Sequence, residues 1–144
     1  MEKWLYHYNL KMKIIKVNGN SMEPILRNKD YVLGVKFNKK QLRYCNVVAF
    51  NYNSKLMVKR LIGLPRDQVK IDGEDIWINN DFKLPMNFSQ FKSKESIEII
   101  TDHNSISVLG DNSNNSLDSR KIGSIPIEDI KFRIIFNISR FRVI

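Results

Sequence analysis

The chain is poor in the residues on which many active sites are built. Its 144 residues include one cysteine, Cys45, and two histidines, His7 and His103. A single thiol excludes an intrachain disulfide framework and any cysteine-rich zinc site. A histidine-based triad would have to run through one of two imidazoles, and neither stands in a recognisable setting. The acidic stretch Asp72-Gly73-Glu74-Asp75 is better explained by a hairpin turn than by calcium. No metal and no cofactor are therefore expected. Long apolar runs are missing as well. Stretches such as Val47-Val48-Ala49-Phe50 fall far short of the roughly 18 residues that span a bilayer. Residues 1–8 lack the apolar core of a secretory signal. These absences point to a cytoplasmic protein. With six glycines and four prolines, no linker or low-complexity tract divides the chain, and a single domain over residues 1–144 is expected.

What is present is a hydrophobic fraction of 42%, sufficient for one core in 17.0 kDa, and a surplus of 24 Lys and Arg over 15 Asp and Glu. The surplus is uneven. Residues 1–60 hold 13 basic and 3 acidic side chains, net +10; residues 61–120 hold 6 and 10, net −4; the remainder hold 5 and 2, net +3. Such charge predisposes a protein to phosphates in nucleic acid or on anionic membranes. Short runs of β-branched and aromatic residues between polar breaks read as mostly β. The candidate strands are Lys13–Val17, Tyr31–Lys36, Asn46–Tyr52, Met57–Leu64, Gln68–Ile71, Asp75–Ile78, Ser105–Leu109 and Ile130–Ile135. Asp72-Gly73 marks a tight hairpin. Met22–Arg27 and Pro126–Asp129 are candidate helical turns, and residues 80–100 read as a loose insert. The spacing predicts a compact, twisted β-sandwich or partial barrel with a short inserted segment. Residues 1–12 form an N-terminal extension, and residues 66–104 supply the hairpin and insert. No two amphipathic helices follow one another, which weakens a DNA-binding reading.

Three segments carry chemistry. Gly19-Asn20-Ser21-Met22-Glu23-Pro24 interrupts a strand pattern and presents Ser21. Thirty-eight residues later, Met57-Val58-Lys59-Arg60-Leu61-Ile62-Gly63-Leu64-Pro65 places a lysine inside an apolar strand. Further on comes Gly110-Asp111-Asn112-Ser113-Asn114-Asn115-Ser116-Leu117-Asp118-Ser119-Arg120. Singly, these read as a turn, a strand lysine pointing to solvent and a solvated loop. Their conjunction, in this order, resembles the type I signal peptidase family over residues 17–126. Weaker echoes are Asp30-Tyr31-Val32-Leu33, Asn46-Val47-Val48-Ala49-Phe50 and Val69-Lys70-Ile71-Asp72-Gly73.

A serine that hydrolyses peptides needs a base, and lysine serves only when neutral. Its pKa must fall from about 10.4, which burial achieves because desolvation penalises the ammonium form. Met57, Val58, Leu61 and Ile62 flank Lys59 and can exclude water, whereas the guanidinium of Arg60 cannot act as a base. The resemblance implies Ser21 as nucleophile and Lys59 as general base. It also implies that Ser116 orients the lysine amine by hydrogen bonding, and that the ion pair of Asp118 and Arg120 holds the loop. Gly19, Asp111 and Asn112 complete the scaffold. The backbone N–H of Ser21 is the candidate oxyanion donor. Some family members add a serine hydroxyl two residues before the nucleophile, where this chain has Gly19. The substrate implied is a precursor polypeptide, bound extended and stripped of an N-terminal leader or signal peptide, with Met22 either lining its pocket or packing in the core.

Departures from the family pattern remove no catalytic group: Ile25 for threonine, Lys29, Cys45 and Arg66 for glycines, Asn46 for aspartate and Ser113 for arginine. No membrane anchor is recognisable. One alternative is then a soluble maturation peptidase serving one cytoplasmic precursor, similar to the enzyme that trims nickel superoxide dismutase. Trp4, Leu5, Tyr6 and Tyr8 either pack against the sheet, the reading preferred here, or make peripheral contact with anionic membrane. Alternation of Lys11 and Lys13 with Leu10, Met12 and Ile14 predicts a strand with a solvated basic face. Self-cleaving repressors share the Ser–Lys pair but need an Ala-Gly or Cys-Gly bond, and this chain has neither. The remaining alternative is a non-enzymatic basic binding module. Nucleic acid is not an expected partner.

Overall fold

The computed structural model describes residues 12–86 and 91–144. Short β-branched runs separated by turn residues give twelve strands among the described residues. The strands are β1 (Met12–Lys16), β2 (Tyr31–Lys36), β3 (Val47–Tyr52), β4 (Lys55–Gly63), β5 (Gln68–Asp72) and β6 (Asp75–Ile78). They continue with β7 (Phe82–Lys83), β8 (Ile97–Ile100), β9 (Ser105–Leu109), β10 (Ile125–Pro126), β11 (Ile130–Asn137) and β12 (Arg142–Val143). One helical turn, α1 (Ser119–Ile122), starts from an Asp118 cap.

The larger sheet has the order β1-β2-β11-β3-β4-β9-β10, with β12 attached to β11; the smaller has the order β7-β6-β5-β8. All four pairings from β1 across to β4 are antiparallel, so β1 and β4 run in the same direction. Although three strands separate them in the sheet, β1 and β4 line one groove. The sheet must therefore curl towards closure, the partial barrel that the strand spacing predicts. β4 meets β9 only from Arg60 onward, which leaves the outer edge of residues 55–59 unpaired among the described residues, facing the free edge of β1. Apolar side chains fill three clusters. One lies beneath the Ser21 loop (Ile15, Met22, Leu26, Val32, Ala49), one under the small sheet (Ile62, Val69, Ile76, Leu109) and one under β9 (Phe50, Leu61, Ile106, Val108).

The hairpin at Asp72-Gly73 forms as its turn chemistry predicts, with Asp72 opposite Asp75 and Gly73 at φ +60°. The loose insert expected at residues 80–100 contributes two strands among its described residues: β7 and β8 flank that hairpin as edges of the small sheet. Met22–Arg27 is a turn, closed by a bond from Leu26 N–H to Met22 O, and the second predicted turn shrinks to a 3-10 turn at Ile127–Asp129. The basic face predicted for the first strand is corrected. Met12 and Ile14 are exposed, at 50% and 62%, and Ile15 is the residue that enters the core. The adjacent pair Ile14-Ile15 permits either facing, and only the neighbours Val32 and Leu26 decide it. Leu10 and Lys11 of the expected alternation, and the aromatic cluster Trp4, Leu5, Tyr6 and Tyr8, lie outside the described residues. Among the described residues no helix is long and apolar enough to cross a membrane.

The three loop positions at which this chain replaces a family glycine share one backbone state. Lys29, Cys45 and Arg66 have φ of 70°, 69° and 69°. A Cβ in this left-handed region costs about 1–2 kcal/mol, partly offset by the lower flexibility of the unfolded chain. Lys29→Gly and Arg66→Gly should therefore each leave urea stability unchanged or raise it by up to about 1 kcal/mol. A loss larger than 1 kcal/mol in either variant would show that the side chains repay the strain through contacts.

Candidate active site

Ser21 lies on a loop whose ends are tied together by bonds from Val17 N–H to Asp30 O and from Lys29 N–H to Val17 O, both 2.8 Å. Gly19, at φ +93°, turns the chain in a conformation that disfavours any side chain, and its N–H donates to Asn28 Oδ1 at 2.9 Å. Beneath the loop, Met22 is almost completely buried in the first core cluster while also contributing to the floor of the groove. Apolar packing thus fixes the base of the loop and holds the Ser21 hydroxyl at the groove.

Lys59 comes from the middle of β4, opposite Val48. Its side chain runs through apolar surroundings and is 4% exposed. Its Nζ meets Ser21 Oγ at 2.7 Å and Val58 O at 3.2 Å. Burial pulls the Lys59 amine below the ordinary value of 10.5, against the opposing pull of the Asp118 and Asp111 charges. The two residues thirty-eight apart in sequence are therefore in direct contact, with the amine shifted towards its neutral form.

The loop after β9 supports this pair from behind. Asp118, fully buried, accepts from Ser116 Oγ at 2.7 Å, from Gly110 N–H at 3.0 Å, and from Arg120 Nε and Nη2 at 2.9 Å each. Burial alone would raise this carboxyl, but the bonds from Arg120, Gly110 and Ser116 outweigh it and hold it below its usual value. The bond that the family resemblance implies, from Ser116 to Lys59, is absent among the described residues. The Ser116 hydroxyl points to Asp118, because a buried carboxylate is a stronger acceptor than an amine. Ser116 thus communicates with Lys59 through the charge of Asp118.

Asn112 joins the two halves of the site. Its N–H donates to Ser21 O at 3.0 Å and its Nδ2 to Asn20 O at 3.1 Å. The Ser21 N–H itself has no protein acceptor among the described residues.

Two supporting features were not assigned from sequence. Arg60 forks onto Asp111 with bonds of 2.7 and 2.6 Å and also donates to Cys45 O at 2.7 Å, in a pair that is 4% and 0% exposed. Burial pushes the Asp111 carboxyl up, and Arg60 counteracts it. The signal was available: an arginine inside an apolar strand requires a buried anion. Gly110 is the second feature. A Cβ there would collide with the Ser116 side chain and stand 2.7 Å from Ser21 O. Only glycine lets the Asp111 loop approach the Ser21 loop this closely.

A serine and a buried lysine in hydrogen-bond contact, on a curled antiparallel sheet, define a class of β-rich proteins with a serine–lysine pair at a groove. Comparison with known proteins is consistent with that class. The family model for signal peptidase, peptidase S26, matches residues 5–138. Signal peptidase I U of Bacillus subtilis is 31% identical over 126 residues, covering 78% of this chain and 67% of that protein. A probable signal peptidase I-2 of Synechocystis is 27% identical over 124 residues, covering 79% and 57%. A signal peptidase I structure from Enterococcus faecalis superposes with a TM-score of 0.56 at 23% identity, over 67% of this chain and 98% of that one. This likeness shows the fold. The chain belongs to the signal peptidase family, peptidase S26. It spans between 57% and 67% of the length of these two curated relatives.

The depressed lysine makes a prediction about stability. In the unfolded chain Lys59 titrates near its ordinary value; in the folded chain it titrates lower, so folding releases a proton between the two values. The cost of burying the ammonium is complete below the folded pKa and vanishes as pH rises towards 10.5. Lys59→Met should therefore be more stable than the parent at pH 7, with the gap closing at higher pH in urea titrations. A gap independent of pH would contradict the shift.

Proposed function

We propose that this chain is a serine endopeptidase of the Ser–Lys type that removes an N-terminal leader from a precursor protein. The observation that carries this reading is the 2.7 Å contact between Ser21 Oγ and the Nζ of a lysine that is 4% exposed. At that separation a neutral Lys59 amine accepts the Ser21 hydroxyl proton while Oγ attacks the scissile carbonyl. The negative charge on the carbonyl oxygen is held by the Ser21 N–H. Collapse of the tetrahedral species expels the amine of the new N-terminus, which takes the proton from Lys59. Water, deprotonated by Lys59 in turn, then hydrolyses the ester and frees Ser21. The scheme calls on no cofactor.

Asn112 bears on the oxyanion step through one peptide unit. Asn20 O and Ser21 N–H are opposite ends of the same planar group. Asn112 Nδ2 grips the carbonyl end at 3.1 Å, and Glu23 N–H adds a bond at 3.2 Å. Holding one end sets the direction of the other. With Gly19 offering no hydroxyl, this N–H is the donor on which the reading relies.

The precursor binds extended. The unpaired edges of β1 and of residues 55–59 of β4 flank a groove of about 700 Å³ that leads to Ser21 and Lys59. An added strand there gains main-chain hydrogen bonds along the groove. Asp118, Arg120, Asp111 and Ser116 act behind the pair and do not touch substrate in this scheme.

Ser21→Ala and Lys59→Ala should each reduce cleavage of a leader-bearing precursor by about a thousandfold or more. Retained cleavage by either would sink the Ser–Lys pair, whereas no cleavage by the parent chain would leave the binding-module reading standing. Asn112→Asp keeps the side-chain shape but loses the N–H donor; it should lower kcat by about tenfold to a hundredfold with little change in KM. An equal effect on KM would instead mark Asn112 as a substrate contact. Because the base must be neutral, kcat/KM should rise with pH through a midpoint below 10.5.

A further inference from the structure

The groove is charged with one sign. Its lining includes Lys13 and Lys16 from β1 and Lys55 and Lys59 from β4, and no acidic side chain among the described residues. Lys59 is buried against Ser21, but the other three are exposed. None of the three has a carboxylate within ion-pair distance among the described residues. Two are steadied by rings instead: Lys13 Nζ lies 5.7 Å from the centre of Phe132, and Lys16 Nζ lies 5.8 Å from that of Tyr31. A ring face holds an ammonium in place without neutralising it. These cations therefore present uncompensated charge to whatever enters the groove.

Strand geometry says where along a bound chain that charge falls. Lys55 precedes Lys59 by four residues of β4, about 13 Å at roughly 3.3 Å per residue. β1 runs in the same direction as β4, so Lys13 likewise lies at the end of the groove away from Ser21. An extended polypeptide in the groove passes this cationic end about four residues from the bond at Ser21. We propose that the groove selects precursors with acidic side chains about four residues from the scissile bond, and rejects those with basic ones, through Lys13 and Lys55. This rests on the peptidase reading and narrows its substrate class. The charges flank a chain threaded to the Ser–Lys pair, which favours a polypeptide occupant over a lipid surface.

The test uses fluorogenic peptides with a small residue at the cleavage position and an Asp, Asn or Lys pair three to five residues before or after it. On one side of the bond, the Asp peptide should exceed the Asn peptide in kcat/KM by about fivefold at low salt, and the Lys peptide should fall below it similarly. The contrast should shrink at about 0.5 M salt and collapse in the Lys13→Gln/Lys55→Gln variant. Equal rates for all three peptides would overturn the proposal, as would an Asp preference that survives in the double variant. It would also be overturned if the variant's sole deficit were weaker binding to phosphatidylglycerol vesicles. Binding of the same peptides to Ser21→Ala, read by fluorescence anisotropy, should follow the same charge order. That arm separates the two readings: absence of any cleavage counts against the peptidase, while charge-independent binding counts against the selection.

Discussion

The contact between the Lys59 amine and the Ser21 hydroxyl is the point on which the rest of the molecule converges. It asks for two things that ordinarily conflict. The lysine must lie in surroundings dry enough to favour its neutral form, yet it must also touch a polar group that substrate can reach. The fold meets both demands by taking Lys59 from a strand interior and Ser21 from a loop at the mouth of the groove. The curl of the large sheet supplies the geometry. It brings the start of β4 within reach of β1, and the residues just after β1 form the Ser21 loop.

Burial of that amine is tuned by two carboxylates in a single loop. Asp111 and Asp118 are both fully buried, and both oppose the depression of the Lys59 pKa. Each is held by its own arginine, Asp111 by Arg60 and Asp118 by Arg120, with bidentate geometry in both cases. Such pairs are costly to bury, and removing one partner is more costly still. Their effect is to fix the loop from Gly110 to Arg120 against the Ser21 loop, where a glycine at 110 permits contact and Asn112 makes the bonds. Burial outweighs the pull of both carboxylates, so the amine remains below its ordinary pKa even with two anions nearby.

Much of this is legible in the sequence. Tyr31–Lys36, Asp75–Ile78 and Ser105–Leu109 were bounded correctly as strands because their apolar runs end at polar or turn residues. The short edges β7, β10 and β12 were not: two residues carry no periodicity, and only a paired neighbour makes them strands. The facing of β1 was misjudged for a related reason, since local alternation cannot choose between Ile14 and Ile15. In the site, Ser21 and Lys59 are singled out by the family resemblance of the three segments taken together; singly, they read as a turn serine and a strand lysine. The second bond of Asn112, the collision reserved for Gly110 and the preference of Ser116 for Asp118 all depend on distances between distant loops. The three left-handed residues 29, 45 and 66 were visible only as departures from family glycines, and their backbone angles explain why glycine is usual there.

The central claim is that Lys59 stands poised to be neutral against Ser21. It is tested most directly by following the Lys59 side chain itself through a pH titration by NMR, with its signal assigned from the spectrum of Lys59→Arg. The account predicts a midpoint clearly below 10.5, coincident with the rise of kcat/KM. A Lys59 midpoint at or above 10.5 would contradict it.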